Sequence, residues 1–110
     1  MFFQYADATA VQMAPGLIRK TLVSSNKLMI CRFDLEVGVE IPSHSHPHDQ
    51  AGYVVLGKIR ITVDDKSCDL GPGDSYSAPS GILHSAIALE ASVVVDTFSP
   101  PRDDYRATPD

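Results

Sequence analysis

Residues 28–37, Leu28-Met29-Ile30-Cys31-Arg32-Phe33-Asp34-Leu35-Glu36-Val37, set Met29, Cys31, Phe33, Leu35 and Val37 against Arg32, Asp34 and Glu36 at period two. Successive side chains of an extended chain point to opposite faces, so this stretch reads as one half-buried β-strand. The same reading holds after Gly57, where Ile59, Ile61 and Val63 face one way and Lys58, Arg60, Thr62 and Asp64 the other, behind the apolar run 53–56. Turn chemistry at Asp64-Asp65-Lys66 and Gly71-Pro72-Gly73 separates a short strand around Cys68 from one over 74–78. Strands over 83–89 and 92–98 are joined at Glu90-Ala91, and Ser99-Pro100-Pro101 ends ladder pairing because proline has no N–H to donate. Short strands and turns at this regular spacing, with no helix-period segment beyond about two turns and no repeats, predict an all-β sandwich or barrel.

Around that pattern, length and composition set bounds. A chain of 110 residues has room for one hydrophobic core and no second. With 44% hydrophobic and 21% charged residues, it is expected to fold without a partner's help. The net charge of −5 and the scattered Lys and Arg leave no basic stripe to neutralise a phosphate backbone, which argues against nucleic acid. No apolar run approaches the roughly 20 residues that span a bilayer, and the opening MFFQYADATA lacks the basic start and apolar stretch of a signal peptide. A soluble, cytoplasmic protein with no membrane partner is the expectation. Cys31 and Cys68 belong to no C-x-x-C and read as reduced thiols, one of them in the core. Residues 1–27 read as an N-terminal arm with edge strands at 2–5 and 17–23, and residues 103–110 as a loose tail. An early strand exchanged between protomers would cover an exposed edge, so a homodimer is expected.

The chain's four histidines are unevenly placed: His44, His46 and His48 sit in five consecutive residues and His84 in the next-to-last strand. In an extended segment i and i+2 share a side, so His44 and His46 aim two imidazoles into one interior, and Gln50 follows with the same parity. A distant histidine completes a donor set that borderline divalent metals accept, with positions left for water or substrate. An acid also interrupts the last apolar strand, Val93-Val94-Val95-Asp96-Thr97-Phe98. Aspartate is rarely buried without a partner or a task. Parity sets Asp96 and Phe98 opposite Val95 and Thr97, and either face fits a barrel interior.

Two gapped patterns give the chain a family resemblance. Gly38-x5-His44-x-His46-x3-Gln50-x6-Gly57 resembles the first cupin motif position by position, and Gly73-x5-Pro79-x-Gly81-x2-His84 the second. The resemblance spans about residues 28–99 and implies a double-stranded β-helix, a jelly-roll barrel with a metal-lined mouth. It further implies one divalent ion, zinc, nickel, manganese or iron, on His44, His46, Gln50 and His84. The family's usual glutamate is Gln50 here, and the asparagine that often closes the second motif is Ala88. A neutral amide leaves the ion its full charge, where a carboxylate would offset part of it, and either ligation or a hydrogen bond to metal-bound water suits Gln50. His48 has no place in the motif and reads as a solvated or supporting loop residue.

The ending Asp96-x-Phe98-Ser99-Pro100-Pro101-Arg102-x-Asp104-Tyr105 resembles that of small cupins similar to the KdgF pectin-degradation proteins, which ketonise unsaturated uronates. That resemblance implies Asp96 as the catalytic acid or base, with Phe98 and Arg102 binding a sugar-acid substrate. A metal-dependent dioxygenase and a non-catalytic small-molecule-binding cupin are the competing readings.

Overall fold

In the computed structural model, which describes residues 1–106, the strands are β1 (Ala10–Ala14), β2 (Leu17–Ser24), β3 (Met29–Leu35), β4 (Glu40–His44), β5 (Asp49–Leu56), β6 (Ile59–Val63), β7 (Lys66–Leu70), β8 (Ser75–Ala78), β9 (His84–Ala88) and β10 (Ser92–Ser99). They form two antiparallel sheets, ordered β1-β2-β3-β10-β5-β8 and β4-β9-β6-β7. From β3 to β6 the chain changes sheet at every strand, and it does so again from β8 to β10. The all-β jelly roll expected from the sequence is thus the architecture, and no helix among the described residues is long and apolar enough to cross a membrane.

Period two decides what fills the space between the sheets. Met29, Cys31, Phe33 and Leu35 of β3 are all buried, and β10 lies antiparallel beside them with Val94 opposite Phe33, Asp96 opposite Cys31 and Phe98 opposite Met29. Val54, Ile59 and Ile61 close the core from β5 and β6. Each such apolar side chain taken fully out of water contributes about 1.5–3 kcal/mol, and a one-residue slip of β3 would exchange that whole set for Ile30, Arg32 and Asp34. The choice that parity left open at the last strand is settled by this register. Asp96 and Phe98 face the interior, at 5% and 2% exposure.

The ends differ from the sequence expectation. The alternation of 28–37 stops at Leu35, because the chain turns through 36–39 and leaves Val37 67% exposed. Residues 2–5 form no strand, only a 3-10 turn at Tyr5–Asp7. The sheet edge is β1, so β2 lies inside the sheet, paired on both sides. The tail is not loose where it is described. Pro101 is buried, Asp103–Tyr105 forms a 3-10 turn, and the Thr21 hydroxyl donates to the Tyr105 carbonyl. Residues 107–110 lie outside the described residues. Cys31 is buried and Cys68 exposed, both as free thiols.

Gly57 joins β5 to β6 with φ of 86°, a region that side chains beyond glycine enter at a cost. A methyl there would also run into the Ala91 carbonyl oxygen and Ser92. Gly57→Ala is therefore expected to lose about 2–4 kcal/mol of stability, read as a lower urea midpoint at an unchanged m-value.

Candidate metal centre

His44 ends β4, His84 begins β9, and strand pairing sets the two opposite each other. His46 stands in the crossing from β4 to β5, and Gln50 lies near the start of β5 in the other sheet. The convergence expected from parity is present, but it has a different cause. Residues 45–48 are not extended strand; the chain carries His46 and Gln50 inward as it crosses between sheets. Ring centroids lie 4.3 Å apart for His44 and His84, 4.8 Å for His46 and His84, and 5.6 Å for His44 and His46. One nitrogen from each lies within 4.8 Å of the others.

Backbone carbonyls fix the orientation of all three rings. His44 Nδ1 donates to Pro42 O at 2.8 Å, His46 Nδ1 to His48 O at 3.0 Å, and His84 Nδ1 to Ile82 O at 2.9 Å. A carbonyl oxygen only accepts, so each Nδ1 carries a proton, and the neutral form of each ring presents Nε2 as a bare lone pair. His46 and His84 keep 9% and 6% of their surface, and this burial first of all pushes both imidazoles below their ordinary pKa, which favours the neutral form. His84 Nε2 is buried with no hydrogen-bond partner among the described residues. An unpaired buried acceptor is costly unless something electropositive meets it. His48 contributes its backbone oxygen, and its ring stays outside the cluster.

Gln50 completes the arrangement. Its Oε1 lies 2.9 Å from His46 Nε2, and its Nε2 donates to the Tyr76 hydroxyl at 2.8 Å. Tyr76 in turn donates to Asp96 Oδ1 at 2.6 Å. Because His46 Nδ1 already holds the ring proton, Oε1 and His46 Nε2 are two lone pairs facing each other, an arrangement that a cation between them would satisfy. Three neutral imidazoles and an amide oxygen are a donor set suited to a divalent ion. Burial raises the Asp96 carboxyl to about 6, against the opposing hydrogen bonds of Tyr76 and Gln50. Burial, then the neighbouring Asp96, holds the Tyr76 phenol well above its usual range, so it stays a neutral donor.

A cavity of about 80 Å³, room for several waters, runs from this cluster into the barrel. His44, Gln50, His84, Asp96, Phe98 and Arg102 all line it, and its inner wall includes Ile41, Ile59, Ile61 and Val94. Of the expected ligand and substrate residues all but His46 thus border one space, and His46 packs against Phe98 at 6.0 Å between centroids. Arg102 is not a free surface arginine. It pairs with Asp104 at 2.9 Å and lies over the Tyr105 ring at 4.0 Å. Sequence reasoning passed over Tyr76 and Arg19 and gave Tyr105 no role beyond its place in the ending; the Arg19 guanidinium covers the Tyr105 ring at 4.5 Å. It also passed over Gly52, the β5 residue opposite both Asp96 and Tyr76. A glycine inside a strand signals close backbone approach; a Cβ there would collide with the Tyr76 ring and Asp96 Oδ1.

Comparison with known proteins agrees with this geometry. The cupin domain model matches residues 31–97. The chain belongs to the cupin family. This cupin is 33% identical over 96 residues to the pectin degradation protein KdgF of Dickeya dadantii, covering 86% of its own length and 87% of that protein's. The structure of KdgF from Halomonas sp. superposes with a TM-score of 0.91 at 36% identity, over 96% of this chain and 98% of that one. An RmlC-like cupin from Shewanella frigidimarina also gives 0.91, at 31% identity over 96% and 95% of the two chains.

The donor set has a direct consequence. His84→Ala removes one of three imidazoles and is expected to weaken divalent-metal binding by about 3 kcal/mol or more, roughly a hundredfold. Elemental analysis of dialysed protein should find close to one ion per wild-type chain and little in the variant.

Proposed function

We propose that this cupin binds one divalent ion on His44, His46, Gln50 and His84 and uses it to accelerate ring opening and ketonisation of unsaturated uronate monosaccharides. The observation that carries the reading is the convergence of this cluster with Asp96, Phe98 and Arg102 on one cavity. Similarity to two KdgF proteins, one of them named for pectin degradation, supports it. When bound, the ion supplies Lewis acidity toward a sugar oxygen.

The remaining work falls to this chain's own side chains. Asp96, interior and raised to about 6, sits near the working pH where a carboxyl transfers protons in either direction most readily. Arg102 offers the planar fork that grips a carboxylate bidentately; its present partner, Asp104, is 60% exposed, so a substrate carboxylate can take that place at small cost. Phe98 packs a sugar face. Converting an enol to a ring-opened keto-uronate moves protons and needs no redox cofactor. We further take the working form to be a cytoplasmic homodimer, with Tyr53 and Val55, exposed on the outside of β5, as the apolar face a second copy would cover.

One observation favours a second reading. The apolar inner half of the cavity suits a metal-dependent dioxygenase acting on an apolar substrate, which oxygen uptake by the iron-loaded protein would reveal.

Unsaturated uronates lose their ultraviolet absorbance on ketonisation, so wild-type protein should speed that loss above the spontaneous rate on monosaccharides from pectin or alginate. Asp96→Asn should lower the acceleration by about a hundredfold or more, compared in protein saturated with metal. Arg102→Lys should mainly raise KM, since charge remains and the bidentate fit is lost. Metal-replete protein that accelerates neither sugar's decay would refute the uronate reading.

A further inference from the structure

The Gln50 side chain poses a problem that the histidines do not. A primary amide can turn over, and turned the wrong way it would point N–H groups at the cluster and repel a cation. Its orientation must be set from outside the cluster, where its amide nitrogen donates to the Tyr76 hydroxyl at 2.8 Å and the Asp96 carboxylate beyond also draws on the amide. That hydroxyl has one proton, and it goes to Asp96 Oδ1 at 2.6 Å. Tyr76 therefore meets Gln50 with lone pairs only. It can accept the amide N–H but cannot donate to the amide oxygen.

The sheet is built to allow this contact. Tyr76 on β8 and Asp96 on β10 are separated by β5, and Gly52 is the β5 residue paired with both. Any side chain at Gly52 would occupy the space through which the phenol reaches Asp96. Asp96 itself is held inside the barrel, with the phenol as its hydrogen-bond donor.

We propose that Tyr76 is a positioning residue for the metal: accepting the Gln50 amide hydrogen and donating to Asp96, its hydroxyl turns the Gln50 oxygen toward the three histidines. The inference rests on the metal reading above and adds to it a residue at a position the second cupin motif leaves unspecified. The reason glutamine needs such a partner also supplies the control. A carboxylate offers an oxygen in both orientations, so a Gln50→Glu chain has nothing for Tyr76 to fix.

Zinc affinity of the folded, metal-stripped protein, measured by competition with a chromophoric chelator, tests the assignment in a four-member cycle of wild type, Tyr76→Phe, Gln50→Glu and the double variant. Circular dichroism and the urea midpoint check that each is folded. Tyr76→Phe is expected to weaken zinc about tenfold, the lower end of what loss of a ligand-orienting partner costs. In the Gln50→Glu background the same change should alter affinity by less than about twofold, since no amide orientation is left to lose. Equal loss in both backgrounds would reduce Tyr76 to general packing and overturn the assignment. So would unchanged affinity in Tyr76→Phe beside a wild type that binds zinc. If wild type binds no better than His84→Ala, the metal reading falls and takes this assignment with it.

Discussion

Three imidazole N–H groups, on His44, His46 and His84, are each committed to a backbone carbonyl, and the character of the whole site depends on that commitment. In neutral imidazole one nitrogen donates and the other accepts. By engaging Nδ1 in every case, the backbone leaves three Nε2 lone pairs directed at one another inside a partly desolvated mouth. Such a cluster is unfavourable by itself, as the unpartnered Nε2 of His84 makes plain. The rigid barrel supplies the opposing stability, since rings held by main-chain oxygens cannot swing away without breaking hydrogen bonds in the crossing loop and at the start of β9.

The second constraint is steric. Gly52 opens a gap in the middle strand of three, and through it Tyr76 joins Asp96 to Gln50. The buried acid and the candidate ligand therefore belong to one hydrogen-bonded chain. In such a chain a change at one group alters the polarisation of the others, which connects the proton-handling carboxylate of the proposed reaction to the electrostatics of the candidate cation site.

How much of this could be read from the sequence depended on whether the signal was local. The alternation at Met29, Cys31, Phe33 and Leu35 survives intact because burial acts residue by residue, whereas the pairing of β3 with β2 and β10 is set by the fold. The histidines were legible through their clustering and spacing, although the parity argument for their convergence does not hold at His46, where the chain leaves one sheet for the other. Tyr76 was not legible: within Ser75-Tyr76-Ser77 it reads as an ordinary strand aromatic, and its role arises from a register that places it across Gly52 from Asp96. The packing role of Tyr105 was missed for a related reason. A short polar ending looks loose in sequence, and only the fold reveals Phe33, Phe98, Arg19 and Arg102 gathered around that ring.

The tautomers of the three histidines are the most exposed part of this picture, because the lone-pair geometry follows from them. Nitrogen NMR of the imidazole side chains in metal-stripped protein at neutral pH reads them directly. The expected spectrum shows His44, His46 and His84 protonated at Nδ1 and bare at Nε2, with the Nε2 resonances moving when zinc is added. Protonation at Nε2 in these residues, unchanged by zinc, would contradict it.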